Sequence, residues 1–260
     1  MSTANSLPGP TRDHLDWPFF GERHHHFAAE VDAFAKSGVM ASIDHADVDG
    51  ACRKLVKALG EAGLLTAATG SSDNEPLIDS RMVCLARELL AWHDGLADFA
   101  FAMQGLGTGA IGLSGSPELR SAVLPKVRSG DWLAAFALSE KDAGSDVAAM
   151  SCAARPDGDH YVLDGEKTWI SNGGIADVYT VFARTGEAPG TRGISAFVVF
   201  ADDPGFSIAE RIEVIAPHPL ATIRFENCRI PASRRLSAPG EGFKIAMRTL
   251  DIFRASVAAA

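Results

Sequence analysis

Phe136-Ala137-Leu138-Ser139-Glu140-Lys141-Asp142-Ala143-Gly144-Ser145-Asp146 is the stretch on which the fold turns. A short run of strand-like residues ends in a turn of small and charged ones. Upstream of it the pattern is helical; downstream it is β. A strand end followed by a small-residue turn exposes backbone N–H groups that can satisfy a ligand's acceptors, and the Ser139 hydroxyl adds a donor in the same place. A second stretch, Lys167-Thr168-Trp169-Ile170-Ser171-Asn172-Gly173, puts Trp169 and Ser171 on one face of a strand, because alternate residues point the same way. An indole beside a hydroxyl can stack on a planar ring and hydrogen-bond its edge. By chemistry alone the two stretches suit a flat heterocycle with N and O around its rim, though many β-domain interiors would carry similar residues.

Working toward the N-terminus, residues from Phe27 to Arg128 predict helices. Val48, Cys52, Leu55, Val56 and Leu59 share one helical face, with Asp47 as N-cap and Gly60 as the stop. Met82, Val83, Ala86, Leu89 and Leu90 repeat the pattern after the polar loop Thr69 to Pro76. Ser116-Pro117-Glu118 supplies a capping hydroxyl, a first-position proline and a first-turn acid. Leu119, Val123, Leu124 and Val127 follow at helical spacing, and Gly130 ends the run. Residues 1–17 are polar and proline-rich and read as a loose terminal arm.

Toward the C-terminus, Tyr161-Val162-Leu163, Asp164-Gly165 and Glu166 to Ile170 predict a hairpin with a tight Asp-Gly turn. Val178 to Ala183, Ile194 to Phe200 and Leu220 to Phe225 are further β-branched or aromatic runs, and Gly242 to Ala260 returns to helical composition. The expected organisation is α+β: a flexible arm over 1–17, an all-helical domain over 18–131, an antiparallel β-barrel-like domain over 132–230, and the first part of a second helical domain over 240–260.

Composition narrows the function classes. At 260 residues, with 47% hydrophobic and 22% charged residues, the chain reads as an ordinary globular protein. No basic start or apolar core of an export signal is visible, no apolar run approaches a membrane span, and the four cysteines form no C-x-x-C pair; a cytoplasmic location is expected. The net charge of -9 argues against nucleic acid. Residues 205–260, however, carry eight Lys/Arg against five Asp/Glu. That stretch could receive an anionic ligand, or be an ordinary fluctuation on a mixed surface.

Three motifs read as structural. Gly107-Thr108-Gly109-Ala110-Ile111-Gly112 matches G-x-G-x-x-G, but it lies in the helical half without the preceding strand that dinucleotide binding needs. Small residues at close helix contacts are expected instead. His24-His25-His26 cannot converge on one ion from a helix, so a solvated polar patch is expected and no metal. No G-x-S-x-G nucleophile elbow occurs.

With these residues in view, the chain from Trp17 to Ala260 resembles the acyl-CoA dehydrogenase family. The two quoted stretches carry the likeness together with Gly240-Glu241-Gly242-Phe243-Lys244-Ile245-Ala246-Met247-Arg248-Thr249-Leu250-Asp251-Ile252-Phe253-Arg254. The resemblance implies FAD, with Phe136, Leu138, Ser139, Gly144, Ser145, Trp169, Ile170 and Ser171 at the flavin-binding positions. Ser139 and Ser171 would bond the flavin rim and Trp169 would cover a ring face. Ser145, Asp251 and Arg254 would lie along the acyl-CoA channel; for the last two, an acid–base pair on a surface helix is the plainer reading. The implied reaction is α,β-dehydrogenation of an acyl-CoA thioester, with hydride passing to flavin N5. An electron-transfer flavoprotein or similar acceptor would take the electrons, and the complete protein would be a homo-oligomer, a dimer or tetramer.

The chain departs from the family pattern in ways that bear on catalysis. Family members usually carry a base glutamate in the C-terminal domain, and a minority carry it on the helix near Gly242, where this sequence has Phe253. The catalytic base is therefore unassigned, and the expectation is a fragment that binds FAD weakly and is inactive alone. Glu140 is expected to order its own loop and Glu166 to face solvent. Lys141 stands where a proline is commoner. Two alternatives remain: a catalytically inactive partner subunit of a complete homologue, or a flavin monooxygenase or oxidase on the same fold.

Overall fold

Asp47, Asp79, Asp94 and Ser116 each begin a helix in the same way, by accepting a hydrogen bond from a first-turn amide that has no partner inside the helix. In the computed structural model, which describes residues 12–72 and 78–260, these caps open four of the six N-terminal helices. The set is α1 (Glu22–Ala35), α2 (Val48–Glu61), the single turn α3 (Thr66–Thr69), α4 (Ser80–His93), α5 (Gly95–Ser114) and α6 (Pro117–Arg128). Helix α5 is buried along most of its length and touches α2, α3, α4 and α6, as expected of a helix that is apolar all round. Among the described residues, no helix is long and apolar enough to cross a membrane.

The β region follows α6. Its strands are β1 (Ala134–Ala137), β2 (Ala153–Asp157), β3 (His160–Ser171), β4 (Val178–Arg184), β5 (Ile194–Phe200), β6 (Phe206–Arg211), β7 (Leu220–Pro231) and β8 (Arg235–Leu236). They form one sheet in the order β6-β7-β3-β2-β4-β5-β8, with β1 on β4. The α+β organisation is as expected, but the antiparallel barrel is not. The sheet stays open between β6 and β8, and it is mixed, since β1 runs parallel to β4 and β2 meets β4 in parallel at Ala153 and Arg184. Parallel pairing needs a long crossover, and the chain between β1 and β4, including β2 and β3, supplies one. Strands β4 and β5 are buried on both faces, so their sequences show no alternation.

Three local expectations are corrected. The predicted Asp164-Gly165 turn does not form, because β3 continues through it. Gly165 (φ +134°) marks a register shift against β7, and a Cβ there would lie 2.8 Å from Cys152 Cα, so glycine serves close approach rather than reversal. The chain turns instead at Gly158-Asp159, between paired Asp157 and His160, with φ +61° at Gly158. Gly60 does not stop α2; it lies inside the helix against the Ser129 carbonyl, and the positive φ belongs to Gly63. His24 is buried rather than solvated, its Nδ1 accepting from the Gly21 amide (2.9 Å) and its Nε2 facing Asp79 (3.1 Å).

The expected arm falls partly on residues 1–11, and the polar loop partly on 73–77, both outside the described residues. Asp13–Asp16 of the arm form a 3-10 turn with Leu15 buried. The chain closes with α7 (Gly242–Val257), whose Ile245, Ala246, Thr249 and Phe253 are buried where the helix meets α4, α5 and β5.

Candidate functional site

Strand β3 carries one residue too many where it passes the end of β1. Lys167 pairs with Ile223 and Ile170 with Ala221, so three steps on β3 match two on β7. The extra residue is absorbed as a bulge, with Trp169 at φ +59°, a conformation that is strained for any bulky side chain. The bulge breaks the alternation. Lys167 turns fully inward, whereas Trp169, two residues on, is 59% exposed.

The exposed indole forms part of the lining of a cavity of about 610 Å³. One wall is the end of β1 and the turn after it, with Phe136, Leu138, Ser139, Gly144 and Ser145; the bulge adds Trp169, Ile170 and Ser171. All eight sequence-predicted cofactor positions thus lie on one cavity. Arg254 reaches it as well. Asp251 does not: it is on the exposed side of α7, one step past the stripe Phe243, Met247, Leu250 and Arg254 that faces the cleft. Phe243, Met247 and Leu250 of that stripe, Met103 and Leu106 of α5, and Thr191 were missed from the sequence. The helical spacing of the α7 residues was the signal available for it.

The lining is rich in unmet hydrogen-bonding groups. The hydroxyls of Ser139, Ser145 and Ser171 have no partner among the described residues, nor do the amides of Gly144, Ser145 and Asp146. A Cβ added at Gly144 would meet nothing, so the turn opens onto free space. The Thr168 amide donates to the Ser139 carbonyl (3.0 Å), tying the two stretches together.

Carboxylates are scarce here. Among the described residues Asp146 is the one carboxylate that lines the cavity, and its Oδ1 already accepts from the Ala148 amide (3.2 Å). Glu140 is turned away into the protein and meets Lys167, Ser151 and Cys152. Burial works to raise its carboxyl, but the Lys167 charge and hydrogen bond, with the two amides, outweigh this and hold it below the usual range. Glu166 pairs with Arg224 at the surface. Phe253 is buried against Gly105 and Gly109 of α5 and is absent from the lining.

Five of the eight cations of the basic C-terminal stretch already have partners. Arg211, Arg224, Arg229 and Arg234 are each paired with a carboxylate, and Arg235 donates to the Tyr161 hydroxyl. The cysteines are free thiols; Cys52, Cys152 and Cys228 are buried and Cys84 is half-buried.

Comparison with known proteins agrees with the geometry. Residues 21–131 match the family profile described as acyl-CoA dehydrogenase, N-terminal domain, and residues 135–228 match the middle domain. A probable acyl-CoA dehydrogenase of Mycobacterium tuberculosis, FadE25, is 45% identical over 183 residues, covering 70% of this chain and 47% of that protein. The structure of butyryl-CoA dehydrogenase from Megasphaera elsdenii superposes with a TM-score of 0.78 at 30% identity, covering 92% of this chain and 65% of that one. A glutaryl-CoA dehydrogenase from Mycobacterium smegmatis, solved in complex with FADH2, gives a TM-score of 0.77 at 29% identity, covering 92% and 61%. The chain spans about half the length of the curated relatives it matches.

Proposed function

The chain belongs to the acyl-CoA dehydrogenase family, and from that premise we propose that its cleft binds FAD and serves the α,β-dehydrogenation of an acyl-CoA thioester. One observation carries the reading. Three hydroxyls and three amides without partners surround one cavity, beside an indole turned outward by a strained bulge. Their chemistry fits a flat ring system with acceptors and donors along its edge. FAD, when bound, supplies the hydride acceptor.

In this reading the chain's own residues bind and orient. Ser139 and Ser171 would hydrogen-bond the ring edge, Trp169 would cover a face, and Phe136, Leu138 and Ile170 would keep the floor dry. Ser145 and Arg254 serve the acyl-CoA. An electron-transferring flavoprotein as acceptor, and a homo-oligomer as the working form, belong to the same proposal.

Removal of an α proton requires a base within about 3 Å and donors on the thioester carbonyl. Among the described residues, the cleft offers only Asp146, which is occupied as a cap. Glu140 is committed to a buried ion pair and the Phe253 position holds no carboxylate. In this reading the described residues seat the flavin and leave no free base for the α proton. The test is FAD titration of the purified chain followed by a dye-reduction assay with acyl-CoA thioesters of several lengths. Saturable FAD binding without turnover is expected; dye reduction by the pure chain would refute the claim of a missing base.

A further inference from the structure

Lys167 is buried to 0% exposure, in a position where strand alternation alone would have pointed it into the cleft beside Trp169 and Ser171. Its ammonium donates to the Leu138 carbonyl (3.0 Å) and to Glu140 Oε1 (2.8 Å), and lies 3.6 Å from Met150 Sδ. Glu140 Oε1 also accepts from the Cys152 amide (3.0 Å), and Oε2 from the Ser151 amide (2.7 Å) and hydroxyl (2.9 Å).

Every partner in this network is a near chain neighbour of the cleft lining. Leu138 and Glu140 flank Ser139. Ser151 and Cys152 anchor the end of the turn that carries Gly144 to Ala148. Lys167 lies two residues before Trp169. An apolar pair of similar volume would fill the same space, and such replacements are often no less stable than a buried ion pair. It could not, however, hold the Leu138 carbonyl and two amides in fixed directions. The network does so with charge-assisted bonds, the strongest kind available to side chains.

We propose that the Lys167–Glu140 pair is a positioning device, which locks the turn bearing Ser139 and Ser145 to the bulge bearing Trp169 and Ser171 so that the cleft is preformed for its ring ligand. The inference rests on the FAD reading above for the identity of that ligand. Preorganisation of this kind lowers the ordering cost of binding. The pair consequently matters more to affinity than to folding.

The test uses the full chain and the double variant Lys167→Met/Glu140→Gln, which removes both buried charges at once. Three quantities are measured: cooperative unfolding without ligand, the FAD dissociation constant by flavin fluorescence, and amide hydrogen exchange across residues 141–148. The double variant is expected to unfold cooperatively, to bind FAD at least about tenfold more weakly, and to exchange about tenfold faster in that segment only. Val31→Ala, a core cavity in α1 distant in sequence from the network, is the control for general destabilisation and should keep FAD affinity within about twofold. An equal loss in the control, or unchanged affinity and exchange in the double variant, overturns the proposal.

If the double variant fails to fold, Ser151→Ala, which removes one hydroxyl bond to Glu140 and leaves no buried charge unpaired, is read in the same way. If the wild-type chain binds no FAD, the flavin reading falls, and exchange in residues 141–148 still decides the positioning role.

Discussion

Two glycine-bearing regions of this chain have opposite fates, and the one with the familiar motif is not the one that offers a site. Gly107-Thr108-Gly109-Ala110-Ile111-Gly112 has the spacing of a nucleotide-binding loop, yet it lies within helix α5, packed and satisfied. A Cβ at Gly107 would lie 2.7 Å from Ala134 Cβ and the Ala135 amide nitrogen, and one at Gly109 would lie 2.8 Å from a Thr249 methyl. Thr180 donates to the Gly107 carbonyl and Thr108 to that of Gln104. Gly144-Ser145 matches no such fingerprint, yet it borders open space and unmet donors. A ligand site is recognised by groups left unpaired next to room for a ligand, and only the second region has both.

The sharpest way to break this contrast is Gly107→Val. Overpacking a backbone contact should cost about 3 kcal/mol or more and lower the melting temperature by roughly 6–12 °C in thermal unfolding by circular dichroism. A melting temperature within the error of wild type would show that the seam is not tightly packed. Next in size is Trp169→Gly, where stability and binding should move in opposite directions. Relief of the positive φ should raise stability by about 1 kcal/mol, while loss of the stacking face should weaken FAD by about tenfold. Both quantities falling together would mean the bulge is not strained for the sake of the ring.

A pH effect follows from Glu140. Its folded-state value is depressed, so its contribution to stability is complete above the ordinary Glu value of 4.5 and is lost as pH falls through the lower folded value. Urea titrations from neutral pH downward should show a steeper acid loss for wild type than for Glu140→Gln. Parallel curves would argue against the pair's ionic character. The smallest expected effect is that of Gly144→Ala, within about 0.5 kcal/mol of wild type, because the position has no positive φ and no neighbour to displace. A large destabilisation there would mean that the turn is packed after all.

How far the sequence led depends on the range over which each signal acts. Helix starts were readable at Asp47 and Ser116 because a cap and its amide lie within three residues of each other. The eight positions that the family resemblance offered for a cofactor lie along one cavity. The bulge at Trp169 was not, since it exists only as a register difference between β3 and β7, which are some 50 residues apart. The same register change hides Lys167, because an isolated lysine is expected at the surface until its buried partner is known. Asp164-Gly165 misled because Asp-Gly signals a turn only where the flanking strands pair with each other; here β3 runs on through it, paired with β7 on both sides. Asp251 and Arg254 were taken together from sequence, but only Arg254 shares the stripe that meets the cleft.

The most direct measurement is a fluorescence titration of FAD into the purified chain and into Ser139→Ala/Ser171→Ala. Saturable one-to-one binding by the parent chain is predicted, weakened at least about tenfold by the two lost hydroxyls at an unchanged melting temperature, since each lost hydrogen bond is worth about 1 kcal/mol. No saturable binding, or equal affinity in parent and variant, would contradict it.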